Sequence, residues 1–298
     1  MLLSSINRFL HKTRAQRKVT VRFFVRRGVS KLPFLPVRIR LTFHPGETAS
    51  FWWSYLPSAD HPDRGLLDFW GDDVGELRFL WNVLKADSSF MDVGAYHGIY
   101  SLIAGMKIQE GGRIVAFEPS VRERRRMRLH LRMNGISSVT LEPYAVGALN
   151  GESCLFTVLS GFTSMNSLRP PAAEFPIRPV PVKTISLDAY LQSRGIHRLD
   201  VIKLDTEGGE LEVLRGAPRM LEGVRPMIIC EVLDWVTGPW GYAARDIVTH
   251  LQCCEYQWFD FQPDGSLTAH QPKDSYPEVR NYLAVPVEKL NAVQVWMQ

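Results

Sequence analysis

The stretch from residue 89 to residue 119 constrains this chain more than any other. An apolar run, Phe90-Met91-Asp92-Val93, ends in a turn with glycines at 94 and 98. An amphipathic segment, Ile99-Tyr100-Ser101-Leu102, follows directly. A second apolar run, Ile114-Val115-Ala116-Phe117, then closes on Glu118-Pro119. A glycine turn after one strand and a carboxylate at the tip of the next is how an open α/β sheet holds a ribose. The fold class this dictates is α/β, with a mostly parallel sheet and a nucleoside-containing ligand at its carboxyl edge.

The rest of the chain extends the alternation. Strands are predicted at 89–93, 113–117, 138–143, 200–204 and 227–232, with helices at 98–107, 120–133, 187–194, 209–215 and 242–252. Such alternation places helices on both faces of a parallel sheet. Ser186 suits the N-cap of the helix at 187–194, and Pro218 the first turn of a short helix after Gly216. A hairpin is predicted from runs near 153–159 and 178–184. The last two strands, 255–261 and 280–286, have no helix between them, which calls for an antiparallel hairpin at the sheet edge. Upstream, 37–43 and 49–56 flank the turn His44-Pro45-Gly46-Glu47 and read as a second hairpin, and 73–84 reads as a helix.

The first loop is not built for a pyrophosphate. Its spacing is Gly-x-x-x-Gly rather than the Gly-x-Gly-x-x-Gly that sets phosphates on a helix N-terminus. A ligand without phosphates but with positive charge, S-adenosylmethionine, fits better than a dinucleotide. Asp92 is placed to meet its ammonium, directly or through water, and Glu118 to accept both ribose hydroxyls. The strand ending near Tyr144-Ala145-Val146 offers no acid for an adenine amino group, so backbone groups there must read the base.

Two further blocks carry carboxylates. Val201-Ile202-Lys203-Leu204 delivers Asp205 to the same edge, followed by Glu207, Gly208, Gly209 and Glu210. A helix N-terminus welcomes acids, which accounts for Glu210 but not for Asp205. Met227-Ile228-Ile229-Cys230-Glu231 ends another buried strand. Asp205 and Glu231 on adjacent strands are able to hold a divalent cation, to share a proton or a substrate hydroxyl, or simply to pair with Lys203 or Arg215. No metal is expected. His97 is read as a loop support rather than a base. The insert from Gly161 to Leu168, rich in small hydroxyl and amide groups, is expected to line an acceptor site, with the proline-rich run Pro170 to Pro181 as lid or linker. Trp235, Trp240 and Tyr242 are candidates to stack on a sugar ring or to pack the next helix.

These blocks resemble the FkbM family of S-adenosylmethionine-dependent methyltransferases. The resemblance rests on Phe-Met-Asp-Val-Gly-Ala-x-x-Gly-x-Tyr-Ser from Phe90, Val-Ala-Phe-Glu-Pro from Val115, and Ile-Lys-Leu-Asp-x-Glu-Gly-x-Glu from Ile202. Echoes recur at Ala145-Val146-Gly147, Thr184-Ile185-Ser186-Leu187-Asp188 and Asn281-Tyr282-Leu283-Ala284-Val285. It implies a Rossmann-like class I methyltransferase sheet with an antiparallel last strand, over a family core of about residues 90–235 within a domain at 61–298. Residues 1–60 form a basic N-terminal extension and hairpin. The resemblance also implies S-adenosyl-L-methionine as cofactor and O-methylation of a sugar, glycoconjugate or natural-product hydroxyl, and it maps Asp92, Gly94, Gly98 and Glu118 to cofactor positions and Asp205 and Glu207 to the active-site block. Together with the residues read above, the expected catalytic set is Asp205, Glu207 and Glu231, and the expected cofactor contacts are Asp92, Gly94, Ala95, Tyr96, Gly98, Glu118, Pro119, Ala145, Val146 and Asp205. The family usually has Asn at the position of Tyr96. The alternative from another class is a non-catalytic binder of S-adenosylmethionine or a nucleoside that docks through its basic N terminus.

Charge and cysteine content bound the setting. Residues 1–46 carry eleven Lys or Arg and no acid, whereas the rest carries 24 basic and 31 acidic residues. A basic segment interleaved with Ile6, Phe9, Leu10 and Phe23-Phe24 is suited to peripheral contact with an anionic membrane through residues 1–31, or to a solvated leader. Nucleic acid is not expected as substrate, since no block presents a flipped base. Met1 to Leu10 is too short and polar for a secretory leader, and no stretch approaches the roughly 20 apolar residues that span a bilayer. The four cysteines, none at metal-ligand spacing, read as reduced, hence a cytoplasmic setting.

Overall fold

The computed structural model describes residues 36–44, 46–54, 75–159, 163–172 and 174–297. The basic segment 1–31, the start of the helix expected at 73, and residues 161–162 of the insert lie outside them.

The chain opens with a hairpin, β1 (Pro36–His44) and β2 (Glu47–Ser54), paired antiparallel. Helix α1 (Gly75–Val83) leads into β3 (Ser89–Val93), α2 (Ile99–Lys107), β4 (Arg113–Phe117), α3 (Val121–Met133) and β5 (Val139–Glu142). Three strands then form a small separate sheet: β6 (Ala145–Val146), β7 (Gly151–Val158) and β8 (Ile177–Ile185). The alternation resumes with α4 (Leu187–Ser193), β9 (Val201–Leu204), α5 (Glu210–Arg215), β10 (Met227–Glu231), α6 (Asp234–Thr237) and α7 (Ala244–Cys253). It ends with β11 (Tyr256–Phe261), β12 (Leu267–Ala269), β13 (Asn281–Pro286) and a short α8 (Leu290–Val293).

Eight strands make the main sheet, in the order β12-β11-β13-β10-β9-β3-β4-β5. From β5 to β10 every neighbour is parallel, while β13 lies antiparallel to both β10 and β11. The final hairpin is therefore inserted: β13 occupies an inner position, and β12, which sequence periodicity did not reveal, forms the outer edge. The parallel strands β3, β9 and β10 are buried at every residue, which is why they read as continuous apolar runs. Strand order reverses between β3 and β9, so their carboxyl ends splay apart and leave a crevice.

The helix starts follow local chemistry. Ser120 and Ser186 cap α3 and α4, their hydroxyls accepting from the backbone N–H of Glu123 and Ala189. Asp188, in the first turn of α4, accepts from the backbone N–H of Arg219 and Met220 (2.8 and 2.9 Å), tying the short helix after Pro218 to this one.

The hairpin belongs to the same core as the sheet. Its inner face, with Ile39, Leu41, Phe43, Phe51 and Trp53, packs with α1, α2 and the sheet residues Phe90, Ile229 and Phe259. Trp53 stacks on the His130 imidazole at 3.7 Å. Its Nδ1 lies 2.9 Å from the His97 carbonyl and its Nε2 3.1 Å from the Ser54 carbonyl, and the nitrogen that carries the proton donates to the carbonyl it faces. Burial holds His130 neutral, its pKa pushed down to about 3. Trp53→Ala removes a fully buried indole and this stack. Denaturant titration should show a loss of about 3–5 kcal/mol.

Candidate active site

A cleft of about 570 Å³ opens at the strand-order reversal. Val93 and Gly94 at the end of β3, Phe117, Glu118 and Pro119 at the end of β4, and Asp205, Thr206 and Glu207 after β9 form its floor. Tyr144, Ala145, Val146 and Leu155 close one side, and Ser164, Asn166, Ser167 and Leu168 roof it. Its described lining holds three carboxylates and no lysine or arginine.

Two backbone features shape the floor. Gly94 has φ +82°, and a Cβ there would stand 1.7 Å from the Asp205 carbonyl oxygen. Only glycine lets the tips of β3 and β9 lie this close. Tyr96 and Glu207 adopt left-handed backbone as well, with φ 48° and 55°. For residues with a Cβ this costs on the order of 1–2 kcal/mol each, strain that gathers at functional sites.

Glu118 is buried beneath the β3–α2 loop. Its two oxygens accept from the backbone N–H of Tyr96 (2.8 Å) and Ser120 (2.7 Å), so it fixes the loop's shape while each oxygen keeps a further lone pair. Burial pushes its pKa up to about 8 against the pull of those hydrogen bonds. Asp92 stands behind the loop instead of on the cleft wall. Its Oδ2 accepts from the Ser101 N–H (3.1 Å) and hydroxyl (2.6 Å), bracing the first turn of α2. Burial raises it to about 6. Ala95 and Gly98 likewise sit behind the wall, whereas Gly94, Tyr96, Glu118, Pro119, Ala145, Val146 and Asp205 line it.

The acids after β9 surround one buried cation. Lys203 is 0 % exposed and donates to Asp205 Oδ2 at 2.8 Å and to the Leu204 carbonyl at 3.2 Å, with the Tyr100 ring 5.2 Å away. Burial alone would lower its pKa. The charge and hydrogen bond of Asp205 outweigh that and raise it. Glu207 is half-buried at the cleft wall and has no side-chain partner among the described residues. Burial first, then the charges of Asp205 and Glu210, raises its pKa well above the carboxylate range. Glu210 is spent on the turn, accepting from the Thr206 N–H (2.5 Å) and hydroxyl (2.9 Å).

Glu231 is not among the described residues that line the cleft. With strand alternation it shares the sheet face of Lys203 and Asp92, is 8 % exposed, and leaves Oε2 without a partner. Burial and the charge of Asp205 keep it protonated well above the carboxylate range. No group of three or more metal-ligating side chains occurs among the described residues.

A second, shallow and open cavity adjoins the first and shares Ser167, Glu207 and Trp240 with it. Met165, Arg169, Pro170, Pro171, Ala172, Trp235, Val236 and Pro239 complete it. Trp240 anchors this wall by donating to the Glu207 carbonyl (3.2 Å), which Ser167 also meets (2.8 Å). Tyr242 faces neither cavity; its hydroxyl holds the Gly208 carbonyl at the start of α5. His97 is a support: its Nε2 meets Glu123 at 2.8 Å, and its ring stacks under Tyr96 at 3.6 Å. The Tyr96 hydroxyl in turn contacts Thr163 Oγ1 (2.7 Å), tying the insert to the glycine loop. Leu155 and Thr206 also line the cleft, and nothing in their residue types marks them in the sequence.

A parallel sheet with an inserted antiparallel last strand and a cleft at its switch point defines a class I methyltransferase. The chain belongs to the FkbM methyltransferase family, whose domain model matches residues 92–290. Membership carries S-adenosyl-L-methionine as cofactor. No curated protein matches the sequence. Among solved structures, the FkbM methyltransferase from Methylobacillus flagellatus is 17% identical over 67% of this chain, with a TM-score of 0.42. This chain covers 44% of that protein, less than half its length. An O-methyltransferase from Bacillus cereus in complex with SAH is 12% identical over 74% of this chain and 84% of its own, TM-score 0.40. An rRNA methylase from Streptococcus thermophilus is 11% identical over 70% and 91%, TM-score 0.38. Likenesses at this level assign neither an acceptor nor a role to any residue.

The shifted Glu118 yields a test. A carboxyl whose folded pKa is raised favours the folded state below its unfolded value, and that advantage is lost as pH rises toward about 8. Glu118→Gln should therefore raise the melting temperature of the ligand-free protein by a few degrees at about pH 8 and not at about pH 4. The same substitution should weaken S-adenosylhomocysteine binding by about tenfold or more in calorimetry.

Proposed function

We propose that the protein transfers a methyl group from S-adenosylmethionine to a hydroxyl of a sugar, glycoconjugate or natural-product acceptor seated in the second cavity. The single observation that carries this reading is the position of Glu207, an unpartnered carboxylate shared by the walls of both cavities.

The residues present fit the cofactor. A cleft with three carboxylates and no described cationic side chain suits a sulfonium with an ammonium, and would repel the phosphates of a dinucleotide. Glu118 retains acceptor capacity for ribose hydroxyls, the Gly94–Tyr96 turn would hold the methionine end, and Pro119, Tyr144, Ala145 and Val146 would flank the base. Asp92, Ala95 and Gly98 would act by holding that turn in shape. When bound, the cofactor supplies a methyl on a sulfonium that leaves as a neutral thioether.

The chain's own task is positioning and proton removal. Asp205, fixed by Lys203, orients the acceptor hydroxyl. Glu207 takes its proton, since a carboxylate of raised proton affinity is a stronger base than an ordinary one. Glu231, protonated and off the cleft, assists by keeping its charge from competing with Asp205 for Lys203. The acceptor ring would lie against Trp240 and Trp235, and Trp235 is exposed at the cavity mouth.

Tritiated-methyl transfer to glycan and metabolite pools tests this. Glu207→Gln and Asp205→Asn should each lower turnover by roughly 10²–10⁴-fold, with S-adenosylhomocysteine affinity changed by less than about threefold. Because the base must be ionised, wild-type turnover should rise with pH above the ordinary carboxylate range, and Glu207→Gln should flatten that limb. Full turnover in both variants would put the base elsewhere. Absence of any S-adenosylhomocysteine uptake would end the reading altogether.

A further inference from the structure

Helix α3 leaves a basic stripe unpartnered. Arg125, Arg128 and Arg132 are exposed at helical spacing, with Val121 and Leu129 exposed among them. The helix's one acid, Glu123, is buried and engaged by His97 and Arg122. The outer face of the hairpin has the same character. Arg38 and Arg40 point outward, and Trp52, opposite Arg38 in the register, is 42 % exposed. The hairpin's one acid, Glu47, is turned to the Trp81 indole (2.7 Å) and Lys107 (3.6 Å).

The two faces meet. Asn134, just past α3, accepts from the Trp52 N–H (2.7 Å) and donates to its carbonyl (2.8 Å), and His130 stacks on Trp53. These joined elements together expose five arginines along with Trp52, Leu129 and Val121. This concentration is local, because the chain beyond residue 46 is net acidic. Nine more Lys or Arg precede Pro36 in sequence without an acid.

We propose that this surface docks the protein on an anionic lipid bilayer. Arginines neutralise acidic headgroups, and an indole with interspersed aliphatic side chains settles at the headgroup–acyl boundary. A nucleic acid would use the charge but not Val121 and Leu129, and a single exposed aromatic offers no series of bases a platform. The stripe begins at the active-site cleft: Arg124, in the first turn of α3, donates to the Glu118 and Pro119 carbonyls (2.6 and 2.8 Å). Docking would therefore hold the cleft mouth beside the bilayer, within reach of a lipid-borne acceptor.

Co-sedimentation of the full chain with vesicles tests the proposal. The protein should pellet with phosphatidylcholine vesicles containing about 30 mol% phosphatidylserine and stay in solution with phosphatidylcholine alone, and about 0.5 M salt should release it. The triple variant Arg125→Glu/Arg128→Glu/Arg132→Glu should lower partitioning at least about tenfold, and Trp52→Ser at least about threefold. S-adenosylhomocysteine affinity and melting temperature should be unchanged in both, which verifies that they are folded. Equal binding of the triple variant and the wild type would overturn the proposal in favour of the segment before Pro36. Retention on heparin with no vesicle binding would overturn it in favour of a nucleic-acid or acidic-protein partner.

Discussion

The close approach of two strand tips governs this molecule. Where β3 ends, Gly94 lies against the carbonyl of Asp205 at the end of β9, with no room for a side chain between them. This contact brings the glycine loop, the buried carboxyl of Glu118 and the acids after β9 to one cleft. The switch in strand order supplies the opening, and the glycine lets its two walls share a floor.

Charge is then organised around a single buried ammonium. Lys203 sits in the middle of a buried strand, a position that an unpaired lysine would not tolerate. Asp205 pairs with it, while Asp92 and Glu231 lie on the same sheet face in the neighbouring strands. More carboxyl groups gather here than one cation can neutralise. Burial answers the excess by holding Glu207 and Glu231 in their protonated forms. Entry of a positive charge would favour release of those protons, so the site can offset an added cation without rearranging its side chains.

Much of this was legible in the sequence, and the exceptions have physical reasons. The β/α alternation, the glycine turn and the acids at strand ends depend on local pattern, and the elements appear within a residue or two of where periodicity puts them. The sequence left Glu231 a choice of roles beside Asp205 or Lys203; the strand register puts it on the sheet face of Lys203, and the burial that removes it from the cleft depends on α1 and α2 packing over that face. Asp92 reads as a ligand contact from its place before the glycine turn, and only the fold shows that its Oδ2 is engaged by Ser101, nine residues on. The edge strand β12 is three residues long, too short for a period to register. Trp240 was equally compatible with stacking and packing, and in the fold it borders both cavities while its indole N–H secures the Glu207 carbonyl.

The aromatic column running inward from the hairpin has a consequence of its own. Trp53 supports His130, the His130 ring meets His97 edge-on at 6.0 Å, and His97 underlies Tyr96, whose N–H fixes Glu118. A segment distant in sequence from the family motifs thus acts as a shim behind the glycine loop, so the packing of the hairpin bears on the shape of that loop with every motif residue left intact.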